Sequence, residues 1–280
     1  MPVLHQPRDL DEACTLLAEL DDPMVYGGGT AIQILLKQGL LFAENLVDLS
    51  FVPGLTAIEA TATGIRVGAM TPLRRMETDA QVAGVVPLAA ATYGHVANPR
   101  VRNTASVGGN IAHGDYRLDP PTALLALDAQ VELRSAHGQR RVPVRDFFVD
   151  FQLTAVEHGE LITAIEIPAQ PAGSASSYVK LSSLGENDWP SASAAALLVT
   201  EAGRRTLRLG IGALAPIPQF VSVDVSGHDL ETTVEAAKAA ADPLIDPIPD
   251  VRGSVTYKRR LGLVAVEDAV RRAWKDQDDD

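Results

Sequence analysis

Two glycine-rich stretches carry the residues of this sequence that could bind a ligand. Residues 25–32 read VYGGGTAI, and residues 106–112 read SVGGNIA. Because glycine has no Cβ, it lets backbone N–H groups come close to a ligand. A helix that starts directly after the glycines adds free N–H donors and the positive end of its dipole, which suits a phosphate group. A plain tight turn between a strand and a helix would look the same, and residues 25–32 alone favour that simpler interpretation.

An acidic residue follows the second stretch. Asp119 precedes Pro120-Pro121 and an apolar run that predicts a helix. An aspartate in this position usually caps the helix by accepting a hydrogen bond from a backbone N–H group. The alternative is a carboxylate that accepts a hydrogen bond from a ribose hydroxyl or an adenine amine. The sequence leaves both interpretations open.

No catalytic or metal-binding motif accompanies the two stretches. The sequence lacks a P-loop, a strand–GxGxxG–helix fingerprint, an HExxH motif and a GxSxG nucleophile elbow. The six histidines are scattered. The single cysteine, Cys14, cannot hold an iron–sulfur cluster or a structural zinc, which need about four such ligands. We therefore expect no catalytic residue, no metal site, and a chain that holds a cofactor with its own chemistry.

Composition and charge narrow the function further. The chain has 280 residues, 46% of them hydrophobic, and a formal net charge of −12, which argues against nucleic acid or an anionic membrane as a partner. No uninterrupted apolar run is long enough to predict a transmembrane helix. The N-terminus also lacks the basic start and apolar run of a signal peptide. The expected compartment is the cytoplasm.

The elements around the first stretch follow from the spacing of apolar residues. A helix is predicted over residues 9–20, and strands just before residue 27 and over residues 46–49 flank a helix that ends near Gln38. This β-turn-α-β unit is typical of half of a small α/β domain. Further on, Thr71 is expected to cap a short helix with Pro72 at its first position, and residues 86–96 predict one helix.

The later part of the chain changes to strands followed by helices. Residues 131–134 and 141–144 predict a hairpin, and residues 161–167 predict a strand. Residues 170–177 (QPAGSASS) are interpreted as a linker and a domain boundary. The elements predicted beyond it are strands at 178–181, 192–200 and 205–214 and helices at 234–241 and 257–274. This order indicates an α+β region.

With these residues in view, the sequence resembles the FAD-binding medium subunits of the molybdenum hydroxylases, the family that includes aerobic carbon monoxide dehydrogenase and xanthine dehydrogenase. Residues 27–32 (GGGTAI) are similar to its AGGxxL motif. Residues 101–121 contain VRNTASVGGNIA and then GDYRLDPP, which are similar to its VRNxxTxGGNxA and DxxxDxPP motifs. Residues 160–168 (ELITAIEIP) and 257–273 extend the resemblance over nearly the whole chain. The chain departs from the family at Gly27, where alanine is usual, and after the linker, where KxxxR is common.

The resemblance implies an α+β fold of the vanillyl-alcohol oxidase or PCMH type, with two α/β subdomains and a C-terminal antiparallel sheet with helices. The expected domains are an FAD-binding domain at 1–169, with subdomains at about 1–52 and 53–169, and a C-terminal flavoprotein domain at 177–280. Residues 27–31 would hold the pyrophosphate, with residues 106–110 on its other side. The residues assigned to FAD by resemblance are Gly27, Gly28, Gly29, Thr30, Ala31, Ala97, Ser106, Gly108, Gly109, Asn110, Asp119, Ile162 and Lys180. For Ile162 a plain core position, and for Lys180 a surface position on a strand, are the alternatives.

The function implied by the resemblance is that of an electron-transfer subunit. FAD would pass electrons from [2Fe-2S] clusters on a small partner chain to an external acceptor, and a large partner chain would carry the molybdenum cofactor, in a dimer of heterotrimers. A free-standing FAD-dependent oxidoreductase of the same fold is the alternative, and a binding module that has lost its cofactor is a third hypothesis. Trp189 is interpreted either as stacking near the isoalloxazine ring or as a buried or partner-contacting residue.

Overall fold

Residues 2–52 form a parallel sheet with helical connections. The computed structural model describes residues 2–278. The first elements are β1 (Val3–His5), α1 (Leu10–Glu19), β2 (Pro23–Tyr26), α2 (Ile32–Lys37) and β3 (Asn45–Asp48), and the sheet has the order β1-β3-β2. Helix α1 begins where the Asp9 carboxylate accepts a hydrogen bond from the Glu12 N–H, and it buries Ala13, Cys14 and Leu17. The predicted opening unit is confirmed.

A five-stranded antiparallel sheet with helices forms the next part of the chain. Its strands are β4 (Ile58–Ala60), β5 (Gly64–Gly68), β6 (Gln130–Ser135), β7 (Gly138–Pro143) and, after the two-stranded hairpin β8 (Phe148–Asp150) and β9 (Leu153–Thr154), β10 (Leu161–Pro168). Its helices are α3 (Leu73–Thr78), α4 (Ala80–Val85), α5 (Pro87–Gly94), α6 (Pro99–Arg102), α7 (Val107–Ala112), α8 (Pro120–Ala126) and α9 (Val144–Phe147). The strand order is β4-β5-β10-β6-β7, so the predicted hairpin at residues 131–144 and the strand at 161–167 are confirmed.

The predicted helix cap at Thr71 is wrong. Pro72 has extended backbone angles and lies just before α3, which starts at Leu73. Pro72 forms an isolated antiparallel bridge with Ser106, and the Thr71 carbonyl accepts a hydrogen bond from the Val107 N–H at 2.9 Å. Pairing with the second glycine stretch therefore takes the place of helix capping at this point.

The C-terminal part is a four-stranded antiparallel sheet covered by helices. Its elements are β11 (Ala175–Leu181), β12 (Ala192–Glu201), β13 (Arg204–Gly212), β14 (Gln219–Asp224), α10 (Leu230–Ala241) and α11 (Val255–Asp278). The strand order is β11-β12-β13-β14. Strand β11 begins inside the stretch interpreted as a linker, and the side chain of Gln170 accepts a hydrogen bond from the Leu88 N–H. The stretch at 170–177 is thus partly structured, while the domain boundaries stay a prediction.

The C-terminal sheet is buried on both faces, which explains the nearly continuous apolar sequence of β12. Val179 and Ala194 face a core shared with α10 and α11, whereas Tyr178 and Ala195 face the core of the five-stranded sheet and its helices. Alternate residues of a strand point to opposite faces, so one strand serves both cores. None of the helices within residues 2–278 combines the length and apolar character that crossing a bilayer requires.

Candidate functional site

The first glycine stretch (residues 27–31) lies between the end of β2 and the start of α2. Gly29 has a φ of +70°, which a residue with a side chain rarely adopts. A Cβ on Gly28 would lie 2.0 Å from the Thr104 carbonyl oxygen, so only glycine fits there. Within the described part of the chain, the N–H groups of Gly28, Gly29 and Thr30 have no backbone acceptor. The stretch is half-buried, and it therefore offers free backbone donors at an accessible surface.

The second glycine stretch (residues 106–110) is held by its own hydrogen bonds. The Gly108 N–H donates to the Ala69 carbonyl at 2.7 Å, and a Cβ on Gly108 would lie 2.6 Å from the Cβ of Ala69. The Gly109 N–H donates to the Ser106 Oγ at 3.2 Å, and the Asn110 N–H donates to the Ser106 carbonyl at 2.9 Å. These backbone donors are already used, so Gly108 is explained by close packing against the end of β5.

What the second glycine stretch offers to a ligand is side chains. Among residues 2–278, the Asn110 Oδ1 is buried and has no hydrogen-bond partner. An amide oxygen buried without a partner is costly in a folded protein, which marks this group as available to a ligand. Ser106 lies just before α7, four residues before Asn110, and its hydroxyl caps the helix.

The two glycine stretches, which begin 79 residues apart in the sequence, touch in the structure. A Cβ on Gly27 would lie 2.9 Å from the Ser106 Oγ, and Gly28 packs against Thr104 and Ala105. Free backbone donors from residues 28–30 and the polar side chains of Ser106 and Asn110 therefore belong to neighbouring segments. A pair of such segments can hold a phosphate-containing group from two sides.

Asp119 and Lys180 form a buried ion pair between α8 and β11. Their side chains are each 5% exposed, and the Lys180 Nζ lies 3.0 Å from the Asp119 Oδ2. The other carboxylate oxygen accepts a hydrogen bond from the Tyr178 hydroxyl. Asp119 makes no capping hydrogen bond to α8, so the interpretation as a helix cap is wrong, and so is a surface position for Lys180.

Burial dominates the electrostatics of this ion pair. Burial raises the pKa of Asp119, and Lys180 opposes that shift. Burial and the neighbouring carboxylate both raise the pKa of Tyr178, which therefore stays a neutral donor. Tyr178 was not found from the sequence. Its position two residues before Lys180, on the same face of the strand, is the signal that could have found it.

The turn at residues 95–97 is held from two sides by cations. Ala97 has a φ of +44°. The Arg102 Nη1 donates to the carbonyls of Val96 at 2.8 Å and Ala97 at 3.0 Å, and Lys180 donates to the His95 carbonyl at 2.9 Å. Arg102 was missed by the sequence reasoning although it is the arginine of the VRN motif.

Two further residues of interest lie in the core and in a loop. Ile162 pairs with Leu133 across β10 and β6 and is 7% exposed, which agrees with a core position. Trp189 lies against Arg117, whose guanidinium carbon is 5.1 Å from the indole centroid. The Oδ1 of the adjacent Asp188 lies 2.7 Å from the Arg252 Nη2. This ion pair fixes the loop, whose sequence differs from the family pattern, to the rest of the C-terminal part.

Comparison with known proteins identifies the family. A family model described as "FAD binding domain in molybdopterin dehydrogenase" matches residues 2–170. The chain belongs to this family. Similar proteins include the carbon monoxide dehydrogenase medium chain of Afipia carboxidovorans, 32% identical over 278 residues, which are 96% of this chain and 95% of that protein. The nicotine 6-hydroxylase medium subunit of Paenarthrobacter nicotinovorans is 30% identical over 273 residues, 95% of this chain and 93% of that protein.

A solved structure agrees with the sequence relatives. Carbon monoxide dehydrogenase from Hydrogenophaga pseudoflava superimposes on this medium subunit with a TM-score of 0.91 at 29% identity, covering 98% of this chain and 99% of that chain. The expected α+β flavin-binding fold is therefore confirmed. The protein is a flavoprotein subunit of the oxidoreductase type, and the family assignment made by resemblance is confirmed.

The residues present fit FAD. The free N–H groups of Gly28 to Thr30 provide hydrogen-bond donors, and the unpartnered Asn110 Oδ1 provides an acceptor on the adjacent segment. Within residues 2–278 no group of three or more histidine, cysteine, aspartate or glutamate side chains is arranged to hold a metal ion.

Proposed function

We propose that this medium subunit holds FAD with its pyrophosphate at the first glycine stretch. The observation that carries the proposal is the packing of the first glycine stretch on residues 104–106, where Gly27 meets Ser106, Gly28 meets Thr104, and the N–H groups of residues 28–30 lie free. Each charge-assisted hydrogen bond from an N–H group to phosphate contributes about 1.5–3 kcal/mol, so a few of them retain the cofactor without a covalent bond. The overall negative charge of the chain makes these local donors necessary.

The other assigned residues have distinct roles in this proposal. Gly27 and Gly28 allow the close approach of residues 104–106. Ser106 and Asn110 lie on the other side of the pyrophosphate: the Ser106 hydroxyl can donate to it, and the Asn110 Oδ1, an acceptor, can bind a hydroxyl group of the cofactor next to it. Gly108 packs α7 on the end of β5, Gly109 leaves room for the Ser106 hydroxyl, and together they place Asn110. Because both oxygens of Asp119 are already bonded within the protein, Asp119 acts through Lys180 and Tyr178 to fix the C-terminal sheet. Ala97 and Ile162 would offer apolar side chains near the flavin ring.

When bound, FAD would supply the redox chemistry of this subunit, which connects the iron–sulfur clusters of a partner chain to an external acceptor. The protein binds and orients the cofactor and supplies no acid or base of its own. A partner with the [2Fe-2S] clusters is required because the only cysteine, Cys14, is buried in α1. The small iron–sulfur subunit and the large molybdenum-cofactor subunit are the expected partners, in a dimer of heterotrimers in the cytoplasm.

Two measurements test the proposal. The chain, purified with its native partners, is expected to carry FAD and to co-purify with one chain that contains iron and another that contains molybdenum. An active flavoenzyme that turns over substrate as a single chain would favour the free-standing oxidoreductase instead. A chain that shows no flavin absorbance even after reconstitution with FAD would contradict the proposal and favour a binding module without cofactor.

A further inference from the structure

Three consecutive backbone carbonyls, those of His95, Val96 and Ala97, each accept a hydrogen bond from a buried cation. Arg102 serves the second and third, and Lys180 serves the first. Arg102 is 6% exposed, and the Lys180 side chain is 5% exposed. Two cations from different parts of the fold therefore meet at one turn, whose last residue has a left-handed backbone conformation.

The charge of Arg102 is balanced by Glu77 on α3. The Arg102 Nε lies 2.8 Å from the Glu77 Oε2, and the Nη2 lies 3.3 Å from the Oε1, so the carboxylate is held by two donors. Burial alone would raise the pKa of Glu77, but the hydrogen bonds from Arg102 and Arg74 outweigh it and lower the pKa. Glu77 is therefore ionised, and the planar guanidinium uses its fork on a carboxylate and two carbonyls at once.

Arg102 also sits where the turn is connected to the candidate FAD site. It is the last residue of α6, and the Thr104 carbonyl packed against Gly28 lies two residues further on. The chain between them is short and hydrogen-bonded, since the Ala105 N–H donates to the Val101 carbonyl at 2.8 Å. A shift of Arg102 would thus move Thr104 relative to the first glycine stretch.

We propose that Arg102 is a positioning residue for cofactor binding, which fixes the turn at residues 95–97 and, through α6, the contact of Thr104 with Gly28. This inference rests on the proposed function, because the cofactor it concerns is FAD at the glycine stretches. The Arg102 side chain acts indirectly, because its hydrogen-bond partners are Glu77, Val96 and Ala97 and not residues of the glycine stretches. Lys180 holds the same turn from the side of the C-terminal sheet, while Glu77 on α3 holds the Arg102 guanidinium.

The chain offers a matched control in Arg140. Its guanidinium also binds one carboxylate through two donors, to Glu160 at 2.7 Å each, and donates to the Ala155 carbonyl at 2.6 Å. Arg140 lies on β7 at the edge of the five-stranded sheet, away from the turn and from α6. Lysine at either position keeps the charge but cannot serve a carboxylate and carbonyls with one fork.

The experiment measures FAD affinity and amide hydrogen exchange in the full chain for wild type, Arg102→Lys and Arg140→Lys. The FAD Kd is expected to rise about tenfold or more in Arg102→Lys, because the variant loses one or more charge-assisted hydrogen bonds. Exchange of the Ala105 and Val107 N–H groups is expected to accelerate in the same variant without cofactor. Arg140→Lys is expected to leave both quantities within about twofold of wild type.

Several results would overturn the inference. Wild-type FAD affinity in Arg102→Lys would do so, as would faster exchange without any change in affinity, or an equal loss of affinity in Arg140→Lys. If Arg102→Lys does not fold, Glu77→Gln decides, with weakened FAD binding expected and unchanged binding contradicting the inference. A wild-type chain that binds no FAD would overturn the proposed function as well. A wild-type chain that binds FAD as tightly as Arg102→Lys would overturn only the role of Arg102.

Discussion

Replacing Gly28 by alanine tests the packing of the first glycine stretch on Thr104, two residues before the second stretch. The new Cβ would lie 2.0 Å from the Thr104 carbonyl oxygen, whereas ordinary contact begins near 3.4 Å, so the two segments must separate by about 1 Å or more. Overpacking of this kind costs about 1–3 kcal/mol of unfolding free energy. Loss of alignment for one charge-assisted N–H contact would weaken FAD binding by roughly ten- to a hundredfold.

The assay is FAD titration together with thermal unfolding of the full chain. Gly84→Ala is the matched control, because a Cβ there meets nothing within 4 Å and α4 gains a better helix former. Gly27→Ala is a second arm, since its Cβ would lie 2.9 Å from the Ser106 Oγ and 3.4 Å from the Met70 Sδ, side-chain atoms that can shift, and should be tolerated. Wild-type FAD affinity in Gly28→Ala, or a stability loss no larger than in Gly27→Ala, would refute the reasoning.

Two further predictions concern buried charges. Lys180→Met leaves Asp119 buried without its cationic partner, so the free energy of unfolding in urea should fall by about 3–5 kcal/mol. Adding Asp119→Asn to this variant should recover part of that loss. Additive losses from the two substitutions would contradict the ion pair. Burial lowers the pKa of His113, so the folded protein keeps this imidazole neutral where the unfolded chain is protonated. Stability should therefore fall as pH drops below about 6.5, and less steeply in His113→Gln; identical pH profiles of the melting temperature would contradict this.

Local patterns predicted the elements whose structure depends on local interactions. The apolar spacing of residues 10–20, the stop at Pro23 and the glycine turn specified the opening unit because helix and turn propensities act over a few residues. Strand β14 was not predicted, since Pro216 and Pro218 precede it and its pairing with β13 depends on a distant strand edge. The start of β11 within the expected linker was missed for the same reason.

At the site, the sequence predicted which stretches matter but not how each one acts. The pairing of residues 69–72 with 105–108 uses the N–H groups of the second glycine stretch, and nothing local to that stretch indicates it. Arg102 and Glu77 are 25 residues apart, and Tyr178 and Asp119 are 59 apart, so their bonds exist only once the fold brings them together. Asp119 accordingly looked like a helix cap in sequence and is an ion-pair partner in the structure.

The most direct test of the central claim is a titration of the deflavinated chain with FAD in the presence and absence of ADP. If the first glycine stretch holds the pyrophosphate, the chain should bind one FAD, and ADP should compete with it while riboflavin should not. Asn110→Leu should weaken both FAD and ADP, because its side chain belongs to the second glycine stretch. Absence of FAD binding, or binding that ADP does not affect, would contradict the account.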